Sequence, residues 1–176
     1  MYNKFIIVIN GKGGVGKDTL CSFVAEKHRV MNISAITPVK EMAKIIGWNG
    51  EKDNNSRKLL SDLKMIAISY NDFPNVYLLA ECERFIKSED EILFVHIREK
   101  QQIEHFISSV SHPVTTLLVR RFEESVIYGN RSDDEVELYN YDYVYNNDKG
   151  LSEAKVDFMQ FFDNVLKKIE EQNKYV

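Results

Sequence analysis

The sequence predicts an α/β fold of three layers, with helices on both faces of a mostly parallel sheet of about five strands. Three observations predict it. Short, largely apolar runs rich in β-branched residues recur at residues 5–9, 92–97 and 114–119. Stretches with apolar residues at helical spacing lie between them. A glycine-rich segment joins the first run to the first helical stretch. Strands buried on both faces read as continuous apolar runs, and their alternation with helices is the signature of a parallel sheet.

Along the chain, residues 5–9 predict a first buried strand that ends at Asn10–Gly11. A helix is expected from Lys17 to about Val30, with Leu20, Phe23 and Val24 on its inner stripe. Residues 33–36 predict a second short strand. Thr37 and Pro38 form a cap and first-turn pair for a short helix that stops at Gly47. Residues 49–55 are polar and predict a loop. Leu59, Leu63, Ile66 and Tyr70 keep helical spacing, and a further helix is expected over about 75–88. Ile103, Phe106, Ile107 and Val110 predict a helix after the strand at 92–97. Pro113 leads into the strand at 114–119, and residues 141–145 predict the last strand. Phe158, Phe161, Phe162, Val165 and Ile169 stripe a closing helix. Tyr139, Tyr141, Tyr143 and Tyr145 alternate, which predicts one shared face of a strand.

The 176 residues predict a single domain, 1–176, able to bury a core without disulfides. Within it, about 37–90 holds only helices between two strands and predicts a substrate-binding flap. The charged stretch of about 120–138 predicts a lid. The net charge of −4 argues against a nucleic-acid partner. Cys21 and Cys82 form no CxxC pair and are expected as buried reduced thiols. No apolar run is long enough for a signal peptide or a membrane span, so a cytoplasmic protein without a membrane partner is expected. His28, His96, His105 and His112 show no metal-ligand spacing.

Residues 11–19 read Gly-Lys-Gly-Gly-Val-Gly-Lys-Asp-Thr, with the G-x-x-x-x-G-K core intact from Gly11 to Lys17. Several successive backbone N–H groups must point at one phosphate chain, and side chains would obstruct them; hence Gly13, Gly14 and Gly16. Lys17 opens a helix whose N-terminus favours anions, and its ammonium reaches the β- and γ-phosphates. Between a buried strand and an amphipathic helix, this is a P-loop (Walker A), so the predicted fold is a P-loop NTPase fold. Gly11, Lys12, Gly13, Gly14, Val15, Gly16, Lys17, Asp18 and Thr19 are the expected nucleotide-binding residues. The usual Ser or Thr after the lysine is replaced by Asp18, whose carboxylate is a candidate Mg²⁺ ligand. Its alternative role is an acid in the first turn, favoured by the helix dipole.

The loop points to two families. Residues 12–17, Lys-Gly-Gly-Val-Gly-Lys, resemble the deviant Walker A of ParA/MinD-type switch ATPases, in which the early lysine, here Lys12, reaches the partner subunit's nucleotide. That resemblance stops at Asp18, where the family has Thr, and the strand at 92–97 carries no Asp. The ending Gly16-Lys17-Asp18-Thr19 resembles phage-type deoxynucleoside monophosphate kinases, of the nucleoside monophosphate kinase-like group. So do Val39-Lys40-Glu41-Met42-Ala43 with Gly47-Trp48, the helix bearing Arg57, the strand leading to Arg98-Glu99, and Val119-Arg120 with Asp133. Asn147-Asp148-Lys149-Gly150 is similar to that group's adenine-side loop. His96 stands where the resemblance places an aspartate, and Lys149 separates Asp148 from Gly150.

The resemblance implies an ATP-dependent phosphotransferase that uses Mg²⁺ on a small-molecule phosphate acceptor, a (deoxy)nucleoside monophosphate. It implies Lys40, Arg57 and Arg98 on the substrate side and Lys17 with Arg120 or Arg131 as catalytic cations. The alternatives are a switch ATPase that dimerises around ATP and a nucleotide-binding protein without strong catalysis. Either a monomer or a homodimer is compatible with the sequence. Arg98 follows a buried strand, where ligands bind in open α/β sheets, and a guanidinium suits bidentate phosphate binding. Of the acids and bases after the strands, only Glu41, His96 and Glu99 offer themselves, none well placed. That favours an acceptor phosphate, which needs no base because its second pKa is near ~6.

Overall fold

The computed structural model describes residues 4–121 and 136–173. Five strands form one sheet: β1 (Phe5–Asn10), β2 (Val30–Ser34), β3 (Ile92–His96), β4 (Val114–Arg120) and β5 (Tyr143–Asn146). Their order is β2-β3-β1-β4-β5, and every neighbouring pair is parallel. The helices are α1 (Lys17–Ala25), α2 (Thr37–Ile45), α3 (Asn54–Asn71), α4 (Phe73–Lys87), α5 (Lys100–Ser109) and α6 (Leu151–Asn173), with a 3-10 turn at Val136–Leu138.

β1 is buried along its whole length because it lies mid-sheet with helices on both sides. Alternate side chains go to opposite layers. Ile7 and Ile9 join Phe94, Leu117 and Val119 under α1 and α6, against Leu20, Val24, Phe158 and Phe162. Ile6 and Val8 join Val95 under α4 and α5, against Leu78, Cys82, Phe85 and Phe106. Each such side chain contributes about 1.5–3 kcal/mol by leaving water. This is the three-layer α/β fold that the apolar runs predict. Both cysteines are buried, and burial pushes both thiols up.

Several elements differ from the sequence reading. β2 begins at Val30, three residues earlier than expected, and α1 stops at Ala25. As an edge strand β2 keeps Asn32 exposed, which breaks the apolar run that would have marked it. Thr37 lies inside α2 rather than capping it. The four alternating tyrosines do not share a face. Tyr139 and Tyr141 pack edge to face, with centroids 4.9 Å apart, on the α4–α5 side. Tyr143 and Tyr145 pack on the α1–α6 side. Asp142 interrupts the alternation: its carboxylate accepts from Thr116 N and Oγ1, both at 2.8 Å, and its N–H donates back to Thr116 Oγ1.

Between β2 and β3, α4 is the helix that covers the sheet, while α2 and α3 pack on it and on each other. α3 buries Ser56 and Ala67 but leaves Ile66 and Tyr70 exposed, so its inner stripe is rotated from the one expected. Asp53 caps α3 through Ser56 N. Asp72, at φ 54°, turns the chain directly into α4, whose first turn holds Pro74. Among the described residues, no helix is long and apolar enough to cross a membrane.

Candidate nucleotide site

Because all five strands run parallel, their C-terminal ends gather on one edge of the sheet, where open α/β sheets bind ligands. The loop from Gly11 to Gly16 leaves β1 at this edge and ends at the N-terminus of α1. Gly11, Gly14 and Gly16 have φ of 151°, 83° and 92°, which L side chains rarely adopt. Gly11 is also forced by space, since a Cβ there would meet the Val119 carbonyl oxygen at 2.4 Å. Val15, buried, anchors the loop in the core. Lys17 Nζ donates to the carbonyls of Gly11 at 2.6 Å and Lys12 at 2.9 Å, so its ammonium lies across the loop. Asp18 and Thr19 are exposed in the first turn of α1.

Two buried asparagines hold this loop. Asn10 Oδ1 accepts from Gly11 N at 2.8 Å. Asn147 Nδ2 donates to Val15 O at 2.9 Å, and Asn147 N donates to Arg120 O at 2.7 Å. The loop after β5 is thus closed onto the phosphate loop. Lys149 is drawn to Asp157, which also accepts from Tyr145 Oη at 3.0 Å. The lysine that interrupts the Asn-Asp-Gly triplet therefore has its charge met by α6. The Asp157 carboxyl is held below its ordinary value, chiefly by Lys149.

His96 ends β3, with Nε2 3.3 Å from Asn32 Oδ1. Burial pushes its imidazole down, the Asp18 charge pulls it up and Lys17 pushes it down. It is therefore a neutral ring beside the first turn of α1, where the resemblance places an anion. Arg98 is half-buried beyond the same strand, its carbonyl accepting from Asn10 Nδ2 at 2.9 Å. Next to it, Glu99 takes Lys64 of α3 at 2.8 and 2.7 Å, which fixes α3 beside Arg98.

Arg120 ends β4 and makes a two-point ion pair with Glu137, Nε lying 3.1 and 3.0 Å from the two carboxylate oxygens. That pair raises the Arg120 pKa. A cleft of about 240 Å³ opens beside the phosphate loop, lined by Lys12, Val15, Arg120, Arg121, Glu137 and Asp148. Lys40 and Arg57 are exposed on α2 and α3, and no contact among the described residues ties either to the loop. Arg131 and Asp133 lie outside the described residues. Trp48 stops α2, its N–H donating to Ala43 O and its Nε1 to Glu51 O. The sequence reading missed Asn10, Asn147 as a clamp, and Glu137. A polar residue ending a buried run was the available signal for Asn10; nothing local marked Glu137.

The sequence matches no known protein family and no curated protein. Solved structures resemble it. TT1252 from Thermus thermophilus superimposes with a TM-score of 0.53 at 16% identity, covering 94% of this chain and 98% of that one. A candidate kinase from Chloroflexus aurantiacus J-10-fl gives 0.48 at 14% identity, covering 93% and 98%. Shikimate kinase from Aquifex aeolicus gives 0.46 at 10%, covering 92% and 98%. The chain thus has a three-layer α/β P-loop NTPase fold, with the glycine-rich loop joining β1 to α1.

Proposed function

We propose that this chain is an ATP-dependent phosphotransferase whose acceptor is a (deoxy)nucleoside monophosphate. One observation carries the reading. The positive-φ glycine loop, with Lys17 at the α1 N-terminus, lies between the end of β3, which leads to Arg98, and the end of β4, which carries Arg120. Phosphoryl transfer is mostly positioning and charge stabilisation, so a cradle flanked by cations is what it needs.

The amides of residues 11–17 and the dipole of α1 hold the donor phosphates, and Lys17 exchanges two backbone carbonyls for phosphate oxygens. The cleft between Lys12, Arg120 and Asp148 suits the rest of the donor nucleotide. Among the described residues no three His, Cys, Asp or Glu gather to hold a metal by themselves. One carboxylate, Asp18, fits Mg²⁺, which keeps most of its waters and takes phosphate oxygens. When bound, Mg²⁺ neutralises charge on the transferring group. Arg98 holds the acceptor phosphate, and Arg120, freed from Glu137 or sharing it, meets the charge that develops in transfer. Among the described residues no base stands ready: Glu41 pairs with Lys44, Glu99 with Lys64, and His96 is a half-buried ring whose basicity burial lowers. An acceptor phosphate needs none, being a dianion above its second pKa of about 6.

A coupled ADP-release assay over nucleosides, nucleoside monophosphates and small metabolites tests the reading. Turnover with one or a few nucleoside monophosphates is expected. ATP hydrolysis indifferent to every acceptor, together with an ATP-driven monomer-to-dimer shift in sedimentation, would replace it with a switch ATPase.

A further inference from the structure

Asn10 ends the central strand and is fully buried, yet every polar atom of its side chain is engaged. Oδ1 accepts from Gly11 N at 2.8 Å; Nδ2 donates to Arg98 O at 2.9 Å and to Tyr141 Oη at 2.6 Å. A carbonyl only accepts and an N–H only donates, so the orientation of the carboxamide is fixed by its partners. Tyr141 then donates to Val136 O at 2.9 Å. Burial pushes the Tyr141 phenol up to about 12, so it keeps the proton this bond needs. The residue after Val136 is Glu137, whose carboxylate grips Arg120 at two points.

We propose that Asn10 and Tyr141 are positioning residues, setting the Arg120 guanidinium relative to the phosphate loop through the chain Gly11–Asn10–Tyr141–Val136–Glu137–Arg120. The same carboxamide fixes the backbone of Arg98. The donor cradle, the acceptor-side cation and the β4-end cation are therefore referenced to one side chain. Arg98 and Tyr141 lie 88 and 131 residues from Asn10 in sequence, so packing alone would leave the mutual placement of these groups to independent loops. The catalytic consequence rests on the phosphotransferase reading; the structural linkage does not. Misplacing a reacting group by about 1 Å can cost roughly 10²-fold in rate.

Tyr141→Phe removes the hydroxyl and keeps the ring. Tyr139→Phe is the control, since Tyr139 packs edge-on against Tyr141 in the same core. Two readouts are taken on the full chain. The first is the ¹⁵N–¹H signal of Arg120 Nε and its exchange with solvent, which needs no substrate. Tyr141→Phe is expected to shift it and speed its exchange, while Tyr139→Phe leaves it in place. An unmoved Arg120 signal in Tyr141→Phe overturns the inference, whatever the activity. The second is steady-state turnover with ATP and the acceptor found in the panel assay. Tyr141→Phe should lower kcat about 10- to 100-fold with KM for ATP little changed. Its loss should be non-additive with that of Glu137→Gln, because both act through Arg120. Additive losses, or a kcat equal to that of Tyr139→Phe, overturn it. If the parent chain turns over no acceptor, the phosphotransferase reading falls, and the Arg120 signal still decides the linkage.

Discussion

Asn147 Nδ2 donates to the carbonyl of Val15 at 2.9 Å, joining residues 132 apart in sequence. The bond is buried and passes directly over Gly16, where an added Cβ would meet the same nitrogen at 2.6 Å. The glycine loop is thus shaped from outside by the loop that follows β5.

Gly16→Ala is therefore expected to fail in two ways, through a φ of 92° and through the collision with Asn147. Removing such a buried clamp costs about 1–3 kcal/mol, which lowers Tm by several degrees, and ATP binding should be lost with it. Gly13→Ala is the contrast. A Cβ there meets nothing within 4 Å, so Tm should stay within about 2 °C of the parent while ATP binding weakens. Thermal melts with and without ATP check both.

Lys17→Ala should leave the melting temperature almost unchanged and reduce kcat/KM by about 10²-fold or more, since it removes the charge aimed at the phosphates. Lys12→Ala should show a smaller loss, because its carbonyl rather than its ammonium serves Lys17. Equal losses in the two variants would contradict this ranking.

Asp18→Ala should raise the Mg²⁺ concentration needed for half-maximal turnover, while metal-free ATP binds no worse. The carboxylate is exposed in the first turn of α1 and repels bare triphosphate. An unchanged Mg²⁺ titration would leave Asp18 with only a helix-dipole role.

Arg98→Ala should raise the acceptor KM with little change for ATP, and Arg120→Ala should instead lower kcat. A phosphate-clamping arginine is worth roughly 10³–10⁵ in rate. The opposite assignment of effects would exchange the donor and acceptor sides.

His96 gives a pH dependence. Burial holds its folded pKa below the ordinary 6.5, so the unfolded chain binds the proton more readily. Its contribution to stability is present above about 6.5 and is lost as pH falls through the folded value. Melting temperatures measured from pH 8 to 5 should fall more for the parent than for His96→Gln. Parallel curves would assign the acid loss to other groups.

The sheet, the glycine loop between β1 and α1 and the order of helices were legible because each rests on a local signal: β-branched runs at β1, β3 and β4, and glycines where φ is positive. What was not legible depends on distant partners. β2 was misplaced because an edge strand needs only one apolar face, so Asn32 hides the pattern. The tyrosine alternation misled because Asp142 is captured by Thr116, 26 residues away. Glu137 carries no local mark, and only folding brings it to Arg120. Asn10 and Asn147 read as ordinary ends of strands until their buried partners are known.

The place of β1 in the sheet governs how the chain must assemble. β1 pairs with β3 and β4, so residues 5–10 wait for residues 92–96 and 114–120 before either edge is covered. Non-local pairing of parallel strands is slow and leaves strand edges exposed meanwhile. During synthesis the most apolar strand is made first and satisfied late. Any stall or cleavage before about residue 114 leaves β1 with an open flank, ready to pair with another copy. Aggregation of the nascent chain is then expected during this protein's production. It should ease at low temperature or with chaperones that shield apolar segments.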